Sequence, residues 1–163
     1  MGGNKLELSA GARPLGAVDL ERVIAIDQAH TGYARRRFFE KRFQAAELRR
    51  EDFIQLGIDR NGTLTGFVLA RILHGEFGRE EPVAELDSLG VDPASQEHGY
   101  GHALLRGLAK VMRERGVREL HSEAEWTNHK LLEFFDSTGF ALAPRMTLER
   151  RVNEPLAEPI EDS

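Results

Sequence analysis

The chain has 163 residues, a net charge of −5 and no cysteine. This length fits one domain with a substantial core, and the lack of cysteine excludes disulfides, thiolate metal sites and a cysteine nucleophile. An acidic chain is a poor general binder of nucleic acid, and no segment approaches the ~18 unbroken apolar residues that a membrane helix needs. The sequence therefore predicts a soluble, cytoplasmic protein with no nucleic-acid or membrane partner.

The first half of the chain changes from helical to strand periodicity. In chain order it predicts a strand at Leu6–Leu8, helices at Ala17–His30 and Tyr33–Leu48, and strands at Phe53–Ile58 and Leu64–Leu73. Asn61-Gly62 between the last two strands is a strong hairpin signal. This half therefore predicts two helices followed by an antiparallel hairpin.

The second half alternates strands and helices. It predicts a strand at Val83–Val91, a helix at Gly99–Arg115, a strand at Val117–Glu125, a helix at Asn128–Thr138, and one or two strands over Phe140–Val152. The order β-α-α-β-β-β-α-β-α-β predicts the α/β class with a mixed sheet, antiparallel early and partly parallel later. We expect one domain over residues 1–152 and a disordered acidic tail over 153–163.

A glycine-bearing loop joins the strand Val83–Val91 to the most regular helix of the chain. Backbone N–H groups at a helix N-terminus are unpaired and attract anions, so this loop is a candidate pyrophosphate cradle. A Walker loop is excluded, because Gly101 is followed by His102-Ala103 instead of Lys and Ser or Thr. A dinucleotide fingerprint fits poorly, because Leu104 stands where the third glycine belongs. An ordinary loop with two capping glycines remains the alternative.

Two motifs in this half resemble those of the GNAT superfamily of N-acetyltransferases. Gln96-x-x-Gly99-x-Gly101, after Val91-Asp92-Pro93, resembles that family's acetyl-coenzyme-A loop. The segment from Asn128 to Gly139-Phe140 resembles the family's later helix, which opens with Asn and closes with Gly-Phe. The resemblance covers roughly residues 5–152, and the order of the elements matches as well.

The resemblance implies a splayed mixed sheet that admits the pantetheine arm of acetyl-CoA between its two central parallel strands. The strand edge would bind that arm, and backbone amides of the loop would hold the pyrophosphate. Asn128 would reach the cofactor or a bound water, although Asn also favours the helix N-cap. The implied cofactor-binding residues are Leu89, Gly90, Val91, Gln96, Glu97, His98, Gly99, Tyr100, Gly101, His102 and Asn128.

Two acids on the strand Val83–Val91 are candidates for the base that an amine acceptor requires. Glu85 and Asp87 are two residues apart and therefore share one face of the strand. In several enzymes of the family a glutamate on this strand is the base, which makes Glu85 the first candidate and Asp87 the second. The alternative is that both pair with arginines. The family's later helix can supply a tyrosine that protonates the thiolate, but Phe135 stands at that position here.

The resemblance predicts direct acetyl transfer from acetyl-CoA to a primary amine of a small molecule or peptide. The alternative is an acyl-CoA-binding module without catalysis, which the missing tyrosine favours. Two interpretations of the basic stretch Tyr33–Phe43 are a solvated helix face and a site for an acidic substrate, and we favour the solvated helix face. The histidines lack metal-ligand spacing, so no metal is expected. A homodimer is a hypothesis that rests on the resemblance to this family. The chain after Phe140 is short for the family's last two strands, so another subunit could complete that wall.

Overall fold

The computed structural model describes residues 11–155. Its strands are β1 (Ala12–Pro14), β2 (Phe53–Arg60), β3 (Thr63–Leu73), β4 (Val83–Val91) and β5 (Leu120–His121), and its helices are α1 (Leu20–Thr31), α2 (Arg36–Leu48), α3 (Tyr100–Glu114) and α4 (His129–Ser137). Short 3-10 turns lie at Ala17–Asp19, Arg50–Asp52, Glu76–Gly78 and Pro93–Ser95. The predicted mixed α/β class is confirmed.

The five strands form one sheet in the order β1-β2-β3-β4-β5. The first three pairings are antiparallel and the last, between β4 and β5, is parallel. Asn61 and Gly62 connect β2 to β3 with φ values of 53° and 77°. Two successive positive φ values give the turn whose twist matches a tight hairpin, so the predicted hairpin is confirmed.

Helices cover both faces of this sheet. On one face, which we call the α3/α4 face, Leu104, Leu108 and Phe135 pack against Val68 and Leu86. On the opposite α1/α2 face, apolar side chains of both helices pack against Phe67 and Leu69 of β3, and these are Val23, Ile26, Phe39 and Phe43. Successive residues of a strand point to opposite faces, so β3 contributes to both cores.

The first two helices begin later than their patterns predicted. The α-helical part of α1 starts at Leu20, and α2 starts at Arg36. Asp27, which breaks the apolar stripe of α1, is buried. Its carboxylate accepts two hydrogen bonds from Arg35, at 2.9 and 2.6 Å. A buried charge is tolerated when it is paired and hydrogen-bonded, which explains an acid on the inner side of this helix.

The predicted strand at Val117–Glu125 is wrong in length, because only Leu120 and His121 pair with β4. Beyond Glu85 the two strands separate. The β3–β4 register shifts at this point: Leu69 pairs with Ser88 and Ala70 pairs with Leu86, which leaves Asp87 as an extra residue. Such a bulge bends and twists its strand, and this accounts for the early end of the pairing with β5.

The predicted strands over Phe140–Val152 are also wrong: the part of the chain that the structure describes has no strand after β5. Pro144 interrupts the segment and lacks the N–H that a ladder requires. Leu142, Met146, Leu148 and Val152 are exposed. The predicted strand at Leu6–Leu8 lies outside the described residues, and β1 at Ala12–Pro14 was not predicted. Most of the predicted tail, residues 156–163, also lies outside them.

Candidate active site

The edge of β4 that faces β5 is open along its second half. Asp92 N donates to Thr65 O at 2.7 Å, so the backbone groups of this residue and of Gly90 face β3. Leu89 and Val91 alternate with them and direct their N–H and C=O groups away from β3. Because β5 ends opposite Glu85, these groups are available to a chain that enters beside β4.

His30, near the end of α1, also reaches this edge. Its Nε2 atom makes a hydrogen bond with the carbonyl oxygen of Val91. Gly90, between the two outward-facing residues, is required for packing: an added Cβ would lie 2.8 Å from the ring of Phe67. The strand edge therefore combines a tightly packed back face with outward backbone groups, of which the Val91 carbonyl is already bound by His30.

The predicted phosphate loop leads directly into α3. Gly99 takes a φ of +77° at the N-cap, with nothing within 4 Å of an added Cβ, so its need for glycine is conformational. Ala103 N donates to Gly99 O at 3.0 Å, which is the first hydrogen bond of the helix. The amides of Tyr100, Gly101 and His102 therefore have no acceptor within the helix. Gln96, Glu97 and His98 are exposed in the preceding turn.

Gly101 has a packing role that the motif did not suggest. An added Cβ would lie 2.9 Å from Cε2 of Phe134 and 3.2 Å from its Cζ. This ring belongs to α4 and packs edge-on against His102, with ring centroids 5.6 Å apart. Gly101 thus lets the start of α3 approach α4 closely, which brings the two motifs of the sequence together.

Asn128 caps α4, which is the alternative role that the sequence predicted for this residue. Its side-chain oxygen accepts a hydrogen bond from Leu131 N at 3.3 Å. That leaves the side-chain amide nitrogen as the group that could reach a cofactor. Phe135, at the position of the family's tyrosine, is buried in the core of the α3/α4 face. Of the two tyrosines in the chain, Tyr33 is exposed and Tyr100 packs partly against the same core.

Glu85 and Asp87 lie together on the α1/α2 face, where Arg71 of β3 bridges them. The Arg71 guanidinium donates to Asp87 Oδ1 at 2.9 Å and to Glu85 Oε2 at 3.1 Å. Asp87 also has Arg42 Nε 3.1 Å from its other oxygen, at an angle too poor for a hydrogen bond. The Asp87 side chain is 7% exposed and that of Glu85 33%. Only Glu85 of this pair therefore offers a carboxylate that solvent or an acceptor can reach.

On the same side of the sheet, the carboxylate of Asp27 is also paired with an arginine. Arg35 binds Asp27, and its guanidinium carbon lies 5.1 Å from the centroid of Phe38. Arg42 stacks against the same ring at 5.0 Å. The basic stretch Tyr33–Phe43 is therefore not only a solvated helix face, because two of its arginines, Arg35 and Arg42, turn inward to pair with carboxylates.

Sequence reasoning missed Arg71, Arg42 and His121 as members of this cluster. Arg71 is a lone charge in an apolar strand, and that was a signal that it has a buried partner. His121 pairs in register with Glu85 across the parallel ladder. A sequence pattern cannot reveal that pairing, because 36 residues separate the two positions.

The described residues contain neither a metal-binding cluster nor a membrane-spanning helix. Among residues 11–155, no cluster of three or more histidines and acids could hold a metal ion. None of the helices described is both long enough and apolar enough to span a bilayer.

Comparison with known proteins identifies the family. Residues 20–140 match the acetyltransferase (GNAT) family, and the chain belongs to it. The predicted family membership is therefore confirmed.

Curated relatives include acetyltransferases with different acceptors. The chain is 36% identical to the mycothiol acetyltransferase of Propionibacterium freudenreichii over 84 residues, which are 52% of this chain and 26% of that protein. It is 30% identical over 90 residues to the ribosomal protein bS18-alanine N-acetyltransferase of Escherichia coli K12, covering 55% of this chain and 56% of that one. The chain therefore matches only part of each relative.

Solved structures share the fold. The aminoglycoside N-acetyltransferase AAC(6')-Iy, solved with CoA, superposes with a TM-score of 0.71 at 20% identity, covering 86% of this chain and 93% of that one. The ribosomal-protein-alanine N-acetyltransferase of Brucella melitensis gives a TM-score of 0.69 at 19% identity, covering 86% and 96%.

Proposed function

We propose that this protein transfers an acetyl group from acetyl-CoA directly to a primary amine. The single observation that carries the proposal is the junction of an open strand edge, a helix N-terminus with free amides and an accessible carboxylate within one GNAT fold. The family match and a structural neighbour solved with CoA support the use of an acyl-CoA. The acceptor class, a small molecule or a peptide, remains part of the proposal.

The described residues suit the donor. Leu89 and Val91 offer strand-like hydrogen bonds to the pantetheine amides, in the way that a neighbouring strand would. The amides of residues 97–102 and the dipole of the 15-residue helix α3 favour the negative pyrophosphate. Asn128, at the start of α4, lies on the element that packs against Gly101. Each of these contacts is a prediction about the bound state.

The chemistry requires one proton to leave before the new bond forms. An alkyl ammonium ionises near pH ~10, so a base must take its proton to leave a lone pair on nitrogen. The amine then attacks the thioester carbonyl, the C–N bond forms, the C–S bond breaks and the nitrogen loses a second proton to become the amide. Coenzyme A leaves as a thiolate, and water can carry this second proton to it. The chain has no cysteine, so no acetyl-cysteine intermediate can intervene.

Glu85 is the better candidate for the base. Its carboxylate is one-third exposed and is held by one arginine contact, whereas Asp87 is buried between Arg71 and Arg42. Protonating the buried Asp87 would remove the counter-charge that faces Arg42 and one of the two carboxylates that Arg71 contacts, which is costly. We therefore assign Asp87 to holding Arg71, and through it the position of Glu85.

The test compares Glu85→Gln with wild type. Thiol release from acetyl-CoA would be followed over a panel of amines that includes a peptide with N-terminal alanine and the aminoglycoside sisomicin. We expect kcat/KM for an accepted amine to fall by about 10²–10⁴-fold, because the base is lost. Glu21→Gln is the matched control: Glu21 also pairs with one arginine, Arg36, but its side chain is 72% exposed. The control should keep wild-type activity.

The second candidate function is acyl-CoA binding without catalysis. Burial of Phe135, where the family can place a tyrosine, is the observation that favours it. Tight CoA binding with no turnover on any amine would support this binding module. Absence of CoA binding would exclude both functions. The expected homodimer and cytoplasmic location remain predictions.

A further inference from the structure

A row of three ionisable side chains crosses the centre of the sheet on the α1/α2 face. Arg71 of β3 pairs in register with Glu85 of β4, and Glu85 pairs in register with His121 of β5. Directly paired residues project to the same face of a sheet, so the three side chains stand side by side. His121 is also the last residue of β5 that pairs with β4. It therefore stands where the two strands separate.

The imidazole of His121 is oriented by a carboxylate. Its Nε2 atom lies 2.9 Å from Glu119 Oε2, and the same oxygen accepts a hydrogen bond from Arg79 at 2.8 Å. The hydrogen bond from Arg79, followed by that from His121, holds the pKa of Glu119 below its usual range. Because an ionised carboxylate can only accept, the proton of this contact belongs to Nε2. The other ring nitrogen, Nδ1, is then the acceptor.

The charged groups around this imidazole come from four segments of the chain. Glu119 precedes β5, Arg79 follows β3, and Glu85 lies on β4. Arg145, in the C-terminal segment, places Nη1 3.3 Å from His121 Nε2. Because both nitrogens carry hydrogens in this tautomer, that approach brings a positive charge near the ring and is not a hydrogen bond. The His121 side chain is itself 33% exposed, so solvent reaches it.

The proton that Glu85 takes from an ammonium must leave before the next turnover, and a bound acceptor would cover the exposed third of the Glu85 side chain. Arg71 cannot receive it, because a guanidinium has no free acceptor, and Asp87 is buried between two arginines. An imidazole both accepts and releases a proton near neutral pH. Among these neighbours of Glu85, His121 is therefore the group suited to carry the proton onward.

We propose that His121 is a proton relay for the acetyl transfer: it takes the proton from the Glu85 carboxyl group and releases it to solvent. This inference rests on the proposed function. In the relay, the O–H bond of Glu85 breaks while an N–H bond forms at Nδ1 of His121. That N–H bond then breaks to water, which regenerates the carboxylate and the neutral imidazole. No redox step or further reactant is needed.

The experiment uses His121→Ala in the full chain, with the amine from the panel that wild type acetylates fastest as the probe. We expect kcat to fall by about 10²-fold, with unchanged CoA affinity by calorimetry and an unchanged melting temperature. Free imidazole added to the assay should restore part of the activity, because a small base can enter the vacated space. Imidazole should not restore Glu85→Gln. The shape of the pH–rate profile should differ between wild type and the variant.

His74→Ala is the matched control, because His74 is also a histidine held by a carboxylate, with Nε2 3.0 Å from Asp52 Oδ1. It should keep wild-type kcat and show no response to imidazole. If His121→Ala keeps wild-type kcat, or if its lost activity is not restored by imidazole, the relay is wrong while the proposed function stands. If wild type acetylates no amine at all, both are wrong.

Discussion

Replacing Gly101 with alanine tests whether this glycine serves packing or phosphate binding. An added Cβ would lie 2.9 and 3.2 Å from two ring carbons of Phe134, inside ordinary van der Waals contact. The ring also packs against His102, so it cannot simply swing away. Overpacking of this kind costs about 1–3 kcal/mol, while alanine gains up to about 1 kcal/mol over glycine in a helix. We expect Gly101→Ala to lower the free energy of unfolding by about 1 kcal/mol.

Shortening the opposing side chain should reverse the sign of this effect. Phe134→Leu removes both ring carbons that the new methyl group would meet. In that background Gly101→Ala should be neutral or stabilising, so the two substitutions should couple by about 1–3 kcal/mol in a double-mutant cycle measured by urea denaturation. Gly99→Ala is the control. Its cost of about 1–2 kcal/mol comes from a positive φ and should be equal in both backgrounds.

A coupling below about 0.5 kcal/mol would contradict the packing argument, because independent sites add within that margin. Titration with CoA separates the second role. If Gly101 serves packing alone, the Gly101→Ala, Phe134→Leu double variant binds CoA as Phe134→Leu does. Weaker CoA binding by the stable double variant would instead show that the phosphate needs close approach at this position.

Two further predictions concern charge. Asp19 accepts hydrogen bonds from both terminal nitrogens of Arg13 and from Gly16 N, and the Arg13 contact holds the pKa of Asp19 below its usual range. Its stabilisation is complete above the ordinary carboxyl pKa of about 3.9 and is lost as the pH falls through the lowered value. Asp19→Asn should therefore lower the free energy of unfolding, measured by urea denaturation, by about 2 kcal/mol at pH 7 and by progressively less below pH ~4. A loss of the same size at pH 7 and below pH ~4 would contradict this pairing. Asp27, Glu85 and Asp87 on the α1/α2 face all pair with arginines, so sisomicin should have a lower kcat/KM than a peptide with one N-terminal amine. A higher value for sisomicin would show that its positive charges find free acids at this site.

The sequence by itself determined the features that depend on local spacing. The Asn61-Gly62 turn, the full extent of β4 and the amphipathic helix α3 follow from residues close together in the chain. The two GNAT motifs are local as well, and they were sufficient to identify the family. Sequence also placed Glu85 and Asp87 on one strand, and it left open whether arginines neutralise them.

The tertiary structure decided which groups meet across the sheet. Glu85 and Asp87 both pair with Arg71. The bulge and the position of Arg42 account for the difference between them, which is that Asp87 is buried and Glu85 is accessible. The early end of β5 and the absence of a strand over residues 140–152 depend on how far two strands stay paired, which periodicity does not encode. The row of Arg71, Glu85 and His121 joins three strands through register, and register is set by packing between segments far apart in the chain.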